Sequence, residues 1–515
     1  MRFVIANRRA GKADASERKL ARADFDTKVS RTIASSFDIL GDSATSDPRE
    51  DSRRTILFDG DPQELMAKRK EFGADTIIEP ERPRATLQYR IADYLSAVPV
   101  KSELAFASTL ANPFMPAGTS ETFEAKITGN GTPVSHVTLT LVLTSNSGSQ
   151  TIREDAITDD AGHVVLQYDS SGWKPTLAII EPASGLWPIV ISSPTSGLEI
   201  NMPPLPRTGP FGWWQWLVGS SDYSETRGAG IRVGVIDTGF GPHPYLAHVT
   251  GVGAFIDGKV TRSPEATRDS MNHGTHVTGT IGARPRAGSG DFGGIAPGVD
   301  LFVARVFEPG KVSNQGDISN AIDELSDSRQ VDLINMSLGG TRSELEQDAI
   351  GAAMERGTLC VCAAGNNFGG HVLFPAGYPQ CVAISALGIL NVMPVGSASY
   401  ANIPIGTDKI HPDGLFVAKF SNIGPEITCI APGNAIISTV PAVNSNSVPY
   451  LAMDGTSMAS PVATGTLAAV LSTDAQYKAL PRGHARAAYA DAALRRKACS
   501  LGFDGLYQGL GLIRM

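Results

Sequence analysis

Hydrophobic and polar positions in residues 1–90 follow two alternating patterns. Short apolar runs such as "RFVIA" and "DTIIEPE" are separated by charged segments such as "DPQELMAKRKEFG", where apolar residues recur at helical spacing. Short apolar runs bounded by polar residues favour strands, whereas a segment opened by Asp-Pro favours a helix. This first block therefore predicts a small α+β domain.

A second pattern covers residues 103–200. Apolar and polar residues alternate in "HVTLTLVLT" and "GHVVLQYD", and turn signals such as "DDAG" recur between the runs. Alternation of this kind is typical of strands with one face in a core, so we predict an antiparallel β-sandwich. The proline-rich segment "NMPPLPRTGP", residues 201–210, then predicts a linker.

Residues 211–515 show a third pattern, in which apolar runs without alternation are separated by helical segments. The runs include "IRVGVID", "LFVARVF", "DLINMS" and "LCVCAA". Strands covered on both faces need such runs, so the block predicts an α/β fold with a parallel sheet between helices. One helical segment, "SELEQDAIGAAMERG", opens on a capping box from Ser343 to Glu346 and ends at Gly357.

Composition narrows the classes of function. Hydrophobic residues make up 42% and charged residues 19% of the 515, which suits a globular protein. The formal charge of −8 offers no basic field for a nucleic-acid partner. We find no run of about 18 apolar residues that would span a membrane, and no apolar core of a secretory signal near Met1.

The five cysteines are an odd number, and most lie in apolar runs. We expect buried free thiols, which suit a reducing compartment. The sequence therefore predicts a cytoplasmic location, with export by a route that needs no signal peptide left open.

Four chemically complementary side chains stand where strands end or helices begin. Asp237 ends "IRVGVID", His273 begins the small-residue helix of "NHGTHVTGTIGA", Asn366 follows "CVCAAG", and Ser457 opens the helix of "DGTSMASPVATG". Because ligands gather at the carboxyl ends of parallel strands, we expect these four side chains to meet at one edge.

Their chemistry fits nucleophilic catalysis. A serine hydroxyl needs an adjacent imidazole to take its proton, and that imidazole needs a carboxylate behind it. A developing oxyanion needs preset donors, which the Asn366 amide and the backbone N–H of Ser457 would supply. We therefore assign Ser457 as nucleophile, His273 as base, Asp237 as orienting acid and Asn366 as oxyanion donor.

Four local motifs in this order, "VIDTG", "HGTHVTGTI", "AAGN" and "GTSMASP", resemble those of the subtilisin family of serine endopeptidases. The resemblance covers about 300 residues. It implies hydrolysis of protein or peptide substrates through an acyl-enzyme on Ser457, with no cofactor for the chemistry. It also implies an apolar primary pocket and a cleft built from Ser337, Leu338, Gly339, Gly340, Ala364, Gly365 and Leu373.

Several parts of the chain lie outside or depart from the family pattern. The family's strong calcium loop here offers only Asp291 as an anionic oxygen, which argues against calcium there. Residues 1–83 resemble the inhibitory propeptide, a ferredoxin-like unit that blocks the cleft as an intramolecular partner. The "TDDAG" turn is similar to immunoglobulin-like modules, which suggests that the sandwich is a spacer or binds a protein partner. An insertion near residues 390–417 is expected to edge the cleft.

Two other interpretations remain open. A metal hydrolase would use His273 and His276, which form H-x-x-H, although the Glu of H-E-x-x-H is missing. A binding or scaffolding protein would instead keep the peptidase block inactive or permanently inhibited, with the sandwich as its working surface.

Overall fold

The computed structural model describes residues 1–12, 14–47, 49–87, 120–206, 212–444 and 447–515. The first part of the predicted sandwich, 103–119, and the last part of the predicted linker, 207–210, lie outside the described residues. Within the described ranges no helix is long and apolar enough to cross a bilayer.

The first block folds as an antiparallel sheet with two helices. Its strands lie in the order β2-β3-β1-β4, and Phe3, Ile5, Phe25 and Phe58 fill its core. The strand β5 leaves this sheet and pairs elsewhere. We call the part up to β4 the N-terminal unit; the elements are β1 (Arg2–Asn7), α1 (Ala15–Thr32), β2 (Asp38–Asp42), β3 (Thr55–Asp59), α2 (Pro62–Lys68), β4 (Thr76–Pro80) and β5 (Pro83–Thr86).

The second block forms two facing sheets around the core side chains of Phe123, Leu139, Leu141 and Val164. One pairing departs from the antiparallel pattern, because β13 runs parallel to β6. Asn201 and Met202, which the composition assigned to a linker, continue β13. The strands are β6 (Ser120–Gly129), β7 (Thr132–Pro133), β8 (Thr138–Ser145), β9 (Thr151–Ile157), β10 (His163–Asp169), β11 (Trp173–Glu181), β12 (Ile189–Ser192) and β13 (Leu198–Met202).

The third block is built on an 11-stranded sheet, with parallel pairing from β15 through β17, β14, β19, β21, β22 and β24 to β28. Strands β16, β23 and β27 add antiparallel edges. The strands are β14 (Arg232–Asp237), β15 (Thr250–Ile256), β16 (Lys259–Thr261), β17 (Asp300–Arg305), β18 (Ser313–Asn314), β19 (Leu333–Met336), β20 (Leu338–Gly340), β21 (Leu359–Ala363), β22 (Cys381–Ile389), β23 (Leu415–Val417), β24 (Ile427–Pro432), β25 (Ile436–Thr439), β26 (Tyr450–Met453), β27 (Ala498–Cys499) and β28 (Leu512–Ile513).

Helices cover both faces of this sheet. Val233 and Val235 of β14 belong to the core that includes α4 and α7, whereas Ile236 belongs to the core that includes α5 and α6. Successive strand side chains point to opposite faces, so a strand made of an unbroken apolar run contributes side chains to both cores. The helices are α3 (Trp213–Leu217), α4 (His273–Gly282), α5 (Gln315–Asp323), α6 (Glu344–Glu355), α7 (Thr456–Thr473), α8 (Ala475–Ala479), α9 (His484–Lys497) and α10 (Gly505–Gln508).

Contacts with the sandwich and the state of the cysteines complete the description of this block. The insertion at residues 390–417 contacts the sandwich, where the Val190 amide donates to the Gly396 carbonyl at 3.0 Å. Sandwich side chains such as Trp187 also join the core of the third block, so the sandwich packs against this block. The cysteines are all free: Cys360, Cys362, Cys381 and Cys429 are buried, and Cys499 is exposed.

Candidate active site

The four predicted side chains stand at the carboxyl edge of the parallel sheet. Asp237 is the last residue of β14, His273 the first of α4, and Ser457 the second of α7. Asn366 follows β21 in a turn where Gly365 has a φ of 117°. Asp237, His273 and Ser457 are at most 1% exposed, so their polar groups interact away from bulk water.

Asp237 and His273 form a buried hydrogen-bonded pair. Nδ1 of His273 lies 2.6 Å from Oδ1 of Asp237, which also accepts from the Thr238 amide at 2.7 Å. A carboxylate at Nδ1 places the ring proton there and leaves Nε2 as the free acceptor. Nε2 is buried and has no hydrogen-bond partner among the described residues.

A second carboxylate, which sequence reasoning missed, holds the turn before α4. Asp269 accepts from the Thr238 hydroxyl and the Thr275 amide, both at 2.9 Å. Burial raises the pKa of Asp269, although these donors oppose the shift. The Thr238 hydroxyl in turn accepts from the Gly274 amide at 2.8 Å, so Asp269 links the ends of β14 and α4.

Ser457 is held by the loop between β19 and β20. Its hydroxyl donates to the Ser337 carbonyl at 3.0 Å, and the Ser337 hydroxyl donates back to the Ser457 carbonyl at 2.9 Å. That carbonyl is available because Pro461, four residues later inside α7, has no N–H to donate to it. Because this helix hydrogen bond is missing, the Ser457 carbonyl can link α7 to the loop.

Asn366 is oriented by the residue before the serine. Its Oδ1 accepts from both the amide and the hydroxyl of Thr456, at 2.9 and 2.8 Å. Because Oδ1 is used in this way, Nδ2 faces the cleft, where it donates to the carbonyl of Leu87. The sequence motif contains Thr456, but its partner lies 90 residues away.

The chain's own strand β5 occupies the cleft. It lies between β18 and β20 and pairs antiparallel with both. On the β20 side, Thr86 is opposite Leu338, Ala85 opposite Gly339, and Arg84 opposite Gly340. The Leu87 amide donates to the Ser337 carbonyl at 3.2 Å, so backbone pairing continues to the residue whose carbonyl meets Asn366.

Leu87 lies beside the residues predicted to line the primary pocket. A Cβ placed on Gly339 would lie 2.9 Å from Cδ1 of Leu87 and 3.1 Å from Cδ1 of Leu373, so glycine leaves room for both leucines. A Cβ on Gly365 would likewise lie 3.1 Å from Cδ1 of Leu373. The Leu373 amide donates to the Ala364 carbonyl at 2.9 Å, which ties the pocket together.

The other histidine of the H-x-x-H pair faces backbone oxygens. Nε2 of His276 lies 3.0 Å from the Ile436 carbonyl and 3.2 Å from the Leu451 carbonyl. Burial lowers the pKa of His276 to about 3, so the ring is neutral. Among the described residues no group of three or more His, Cys, Asp or Glu side chains is arranged to hold a metal ion. The carboxylate of Asp291 accepts a hydrogen bond from the Tyr245 hydroxyl.

Comparison with known proteins identifies the family of this block. The family described as the subtilase family matches residues 228–507, more than half of the chain. The chain belongs to the subtilase family. This subtilase is a serine endopeptidase that acts on protein substrates.

Curated relatives match the same block. Subtilisin Savinase from Lederbergia lenta is 30% identical over 290 residues, covering 56% of this chain and 89% of the relative. Subtilisin DY from Bacillus licheniformis is 31% identical over 294 residues, with 56% and 90% covered. The major intracellular serine protease of Bacillus subtilis (strain 168) is 34% identical over 255 residues, with 48% and 70% covered.

Proposed function

We propose that Ser457, His273 and Asp237 form the catalytic triad of this subtilase. In this triad the Ser457 hydroxyl leaves the Ser337 carbonyl and donates to Nε2 of His273, which is free to accept the proton. The packing of α4 against α7 supports this, since each helix carries one partner near its first residue. Asp237 then stabilises the imidazolium that forms.

Two chemical steps follow from these roles. Ser457 Oγ attacks the carbonyl carbon of the substrate while His273 takes its proton, and the leaving amine receives that proton as the acyl-enzyme forms. Water activated by His273 then hydrolyses the ester and restores the hydroxyl. Asn366 Nδ2 and the Ser457 amide stabilise the oxyanion in both steps.

The N-terminal unit, together with β5, acts as an intramolecular inhibitor, and the enzyme cleaves the chain after Leu87. The observation that carries this proposal is the Leu87 carbonyl, which accepts from Asn366 while β5 lies in the cleft as a substrate strand. A substrate carbonyl must sit at these donors to react. Strand addition then holds the cleaved segment in place and keeps the cleft closed to other substrates.

Charge complementarity supports the role of the unit as an inhibitor. Arg53 is 2.7 Å from Asp323 and 2.8 Å from Asp348, and Arg9 is 2.9 Å from Asp327. The arginines belong to the N-terminal unit and the carboxylates to the peptidase block. Burial alone would raise the pKa of Asp323, but the charges of Arg53, Arg9 and Arg356 outweigh it and hold the pKa well below its ordinary value.

Two further assignments complete the proposal. The sandwich serves as a spacer or as the surface for a protein partner, supported by its own core and its packing against the peptidase block. The free state of all five cysteines supports work in a reducing, cytoplasmic compartment.

Labelling by a serine-directed phosphonate tests the triad. We expect the wild type, once its fragment of residues 1–87 has been removed, to be labelled on Ser457, and Ser457→Ala to show neither labelling nor peptide hydrolysis. Asn366→Ala retains labelling but loses on the order of 10²–10³ in kcat, because one oxyanion donor is gone. Turnover that persists in purified Ser457→Ala rejects the assignment.

A further inference from the structure

A buried ion pair lies in the cleft three residues before Leu87. The guanidinium of Arg84 donates from Nε to Oε1 of Glu346 at 3.0 Å and from Nη2 to Oε2 at 2.9 Å. Both side chains are fully buried. Parallel hydrogen bonds from a planar fork to a carboxylate are specific to arginine, since lysine offers only a point charge.

The two partners come from different parts of the molecule. Arg84 is on β5, the strand that occupies the cleft, and Glu346 is in the first turn of α6 in the peptidase block. Arg84 is the ion-pair partner of Glu346 within the described residues. Its remaining polar neighbour there is the Tyr378 hydroxyl, 3.4 Å from Oε2.

Sequence reasoning gave Glu346 a different role. In a complete capping box its carboxylate would reach back to the Ser343 amide. The Ser343 hydroxyl does accept from the Glu346 amide at 3.1 Å, but the Ser343 amide donates to Tyr378 at 2.8 Å. The Glu346 carboxylate is thereby released to face the cleft, and the prediction of a full capping box is wrong.

Gly340 leaves the space that the arginine occupies. A Cβ on Gly340 would lie 2.7 Å from Nη1 and 3.0 Å from Cδ of Arg84, closer than side-chain atoms pack. The missing side chain opens a path along which the stem of Arg84 reaches the carboxylate. A neutral side chain in this site would leave Glu346 buried without a cation, which is costly.

We propose that Glu346 is a specificity-determining residue that makes this subtilase select protein substrates with arginine at the fourth position before the cleaved bond. This inference rests on the proposed function, since it places Leu87 at the first position and Arg84 at the fourth. The substrate class is a segment like "RATL", with a cation in the pocket of Glu346 and a neutral residue at Gly339 and Leu373.

Matched peptides test the selectivity. Acetyl-Arg-Ala-Thr-Leu carrying a fluorogenic amide is compared with the peptide in which citrulline, neutral and of the same shape, replaces arginine. We expect the self-processed wild type, once its fragment of residues 1–87 has been removed, to prefer arginine by on the order of 10² in kcat/KM, because truncating one partner of a buried charge pair carries that cost. Lysine should fall between the two. Glu346→Gln should remove the preference, while Glu355→Gln, a carboxylate later in the same helix, should keep it.

The full-length chain gives a second readout that needs no variant in the peptidase block. Arg84→Met should slow the first self-cleavage by on the order of tenfold or more, and intact-mass measurements over time follow the cleavage. Arg82→Met, which alters a half-exposed arginine two residues earlier, should not.

The outcomes separate this inference from the proposed function. Equal hydrolysis of the arginine and citrulline peptides by wild type, or equal self-cleavage of wild type and Arg84→Met, overturns the selectivity alone. If the enzyme freed of residues 1–87 neither hydrolyses the two peptides nor is labelled by the phosphonate, the proposed function is overturned, and the selectivity with it. If Glu346→Gln fails to fold, the wild-type peptide ratio and the Arg84→Met rate decide the question.

Discussion

At the scale of single residues, Thr456 shows how a side chain outside the proposed triad controls the site. Its hydroxyl accepts from the Gly365 amide at 3.0 Å and donates to Oδ1 of Asn366 at 2.8 Å. An asparagine amide can turn over, and each orientation presents a different atom to the cleft. Thr456 fixes the orientation in which Nδ2 meets the oxyanion.

We predict that Thr456→Val lowers kcat about tenfold and leaves KM near its wild-type value, because Asn366 loses one of the two donors that orient it. Steady-state kinetics on a peptide substrate measure the change. Thr473→Val is the matched control, since its hydroxyl donates to the Val470 carbonyl at the far end of α7. An unchanged kcat in Thr456→Val would show that Asn366 needs no such partner.

Residues differ in how far the sequence predicts their roles. The motifs around Asp237, His273, Asn366 and Ser457 are local, so the assignments could be made before the structure and await the tests above. The role of Asp269 depends on the turn that brings β14 and α4 together, which no local pattern shows. Glu346 matched a helix-capping pattern, and its contact with Arg84, 262 residues away, could not be foreseen.

At the scale of elements, β19 is the strand that anchors α7, the helix that carries Ser457. Asn335 lies in its buried middle, where Oδ1 accepts from the hydroxyls of Ser460 and Thr464 at 2.7 and 3.0 Å. Its Nδ2 donates to the Ser337 hydroxyl at 3.0 Å. A single amide therefore links α7 to the sheet and to the loop that holds Ser457.

We expect Asn335→Ala to lower the free energy of unfolding by about 2 kcal/mol, because buried hydroxyls lose their partner. Chemical unfolding in a Ser457→Ala background, which prevents self-digestion, measures the loss. Thr466→Val should cost less, since its hydroxyl donates to the carbonyl of Val462 within the same helix. Equal losses in the two variants would remove any special role for Asn335.

The strands themselves were readable from sequence, since the runs "IRVGVID" and "LCVCAA" became β14 and β21 of the parallel sheet. The polar Asn335 in β19, the strand between them in the sheet, carried no such signal. A buried amide is satisfied only by partners from another element, and hydrophobic periodicity does not reveal which element that is.

At the scale of the whole molecule, ionic contacts join the N-terminal unit to the peptidase block. Arg53 is fully buried and bridges Asp323 and Asp348. The next residue, Arg54, pairs with Asp26 and Asp42 of its own unit. Arg53 therefore contributes to binding between the N-terminal unit and the peptidase block, whereas Arg54 contributes to the stability of the N-terminal unit alone.

We predict that Arg53→Met releases the N-terminal unit after self-cleavage, because two buried carboxylates lose a shared partner at a cost of about 3–5 kcal/mol. Size-exclusion chromatography should show the fragment of residues 1–87 leaving the peptidase, with a matching rise in activity. Arg54→Met should keep the fragment bound. Release by Arg54→Met, or retention by Arg53→Met, would contradict the proposed interface.

The intact mass of the full-length chain tests the central claim most directly. The wild type should lose a fragment of residues 1–87 as the chain ages, since the Leu87 carbonyl lies at the Asn366 amide beside Ser457. Ser457→Ala should keep its full mass under the same conditions. A wild-type chain that stays uncut, or a Ser457→Ala chain cut at the same bond and rate, would contradict the account.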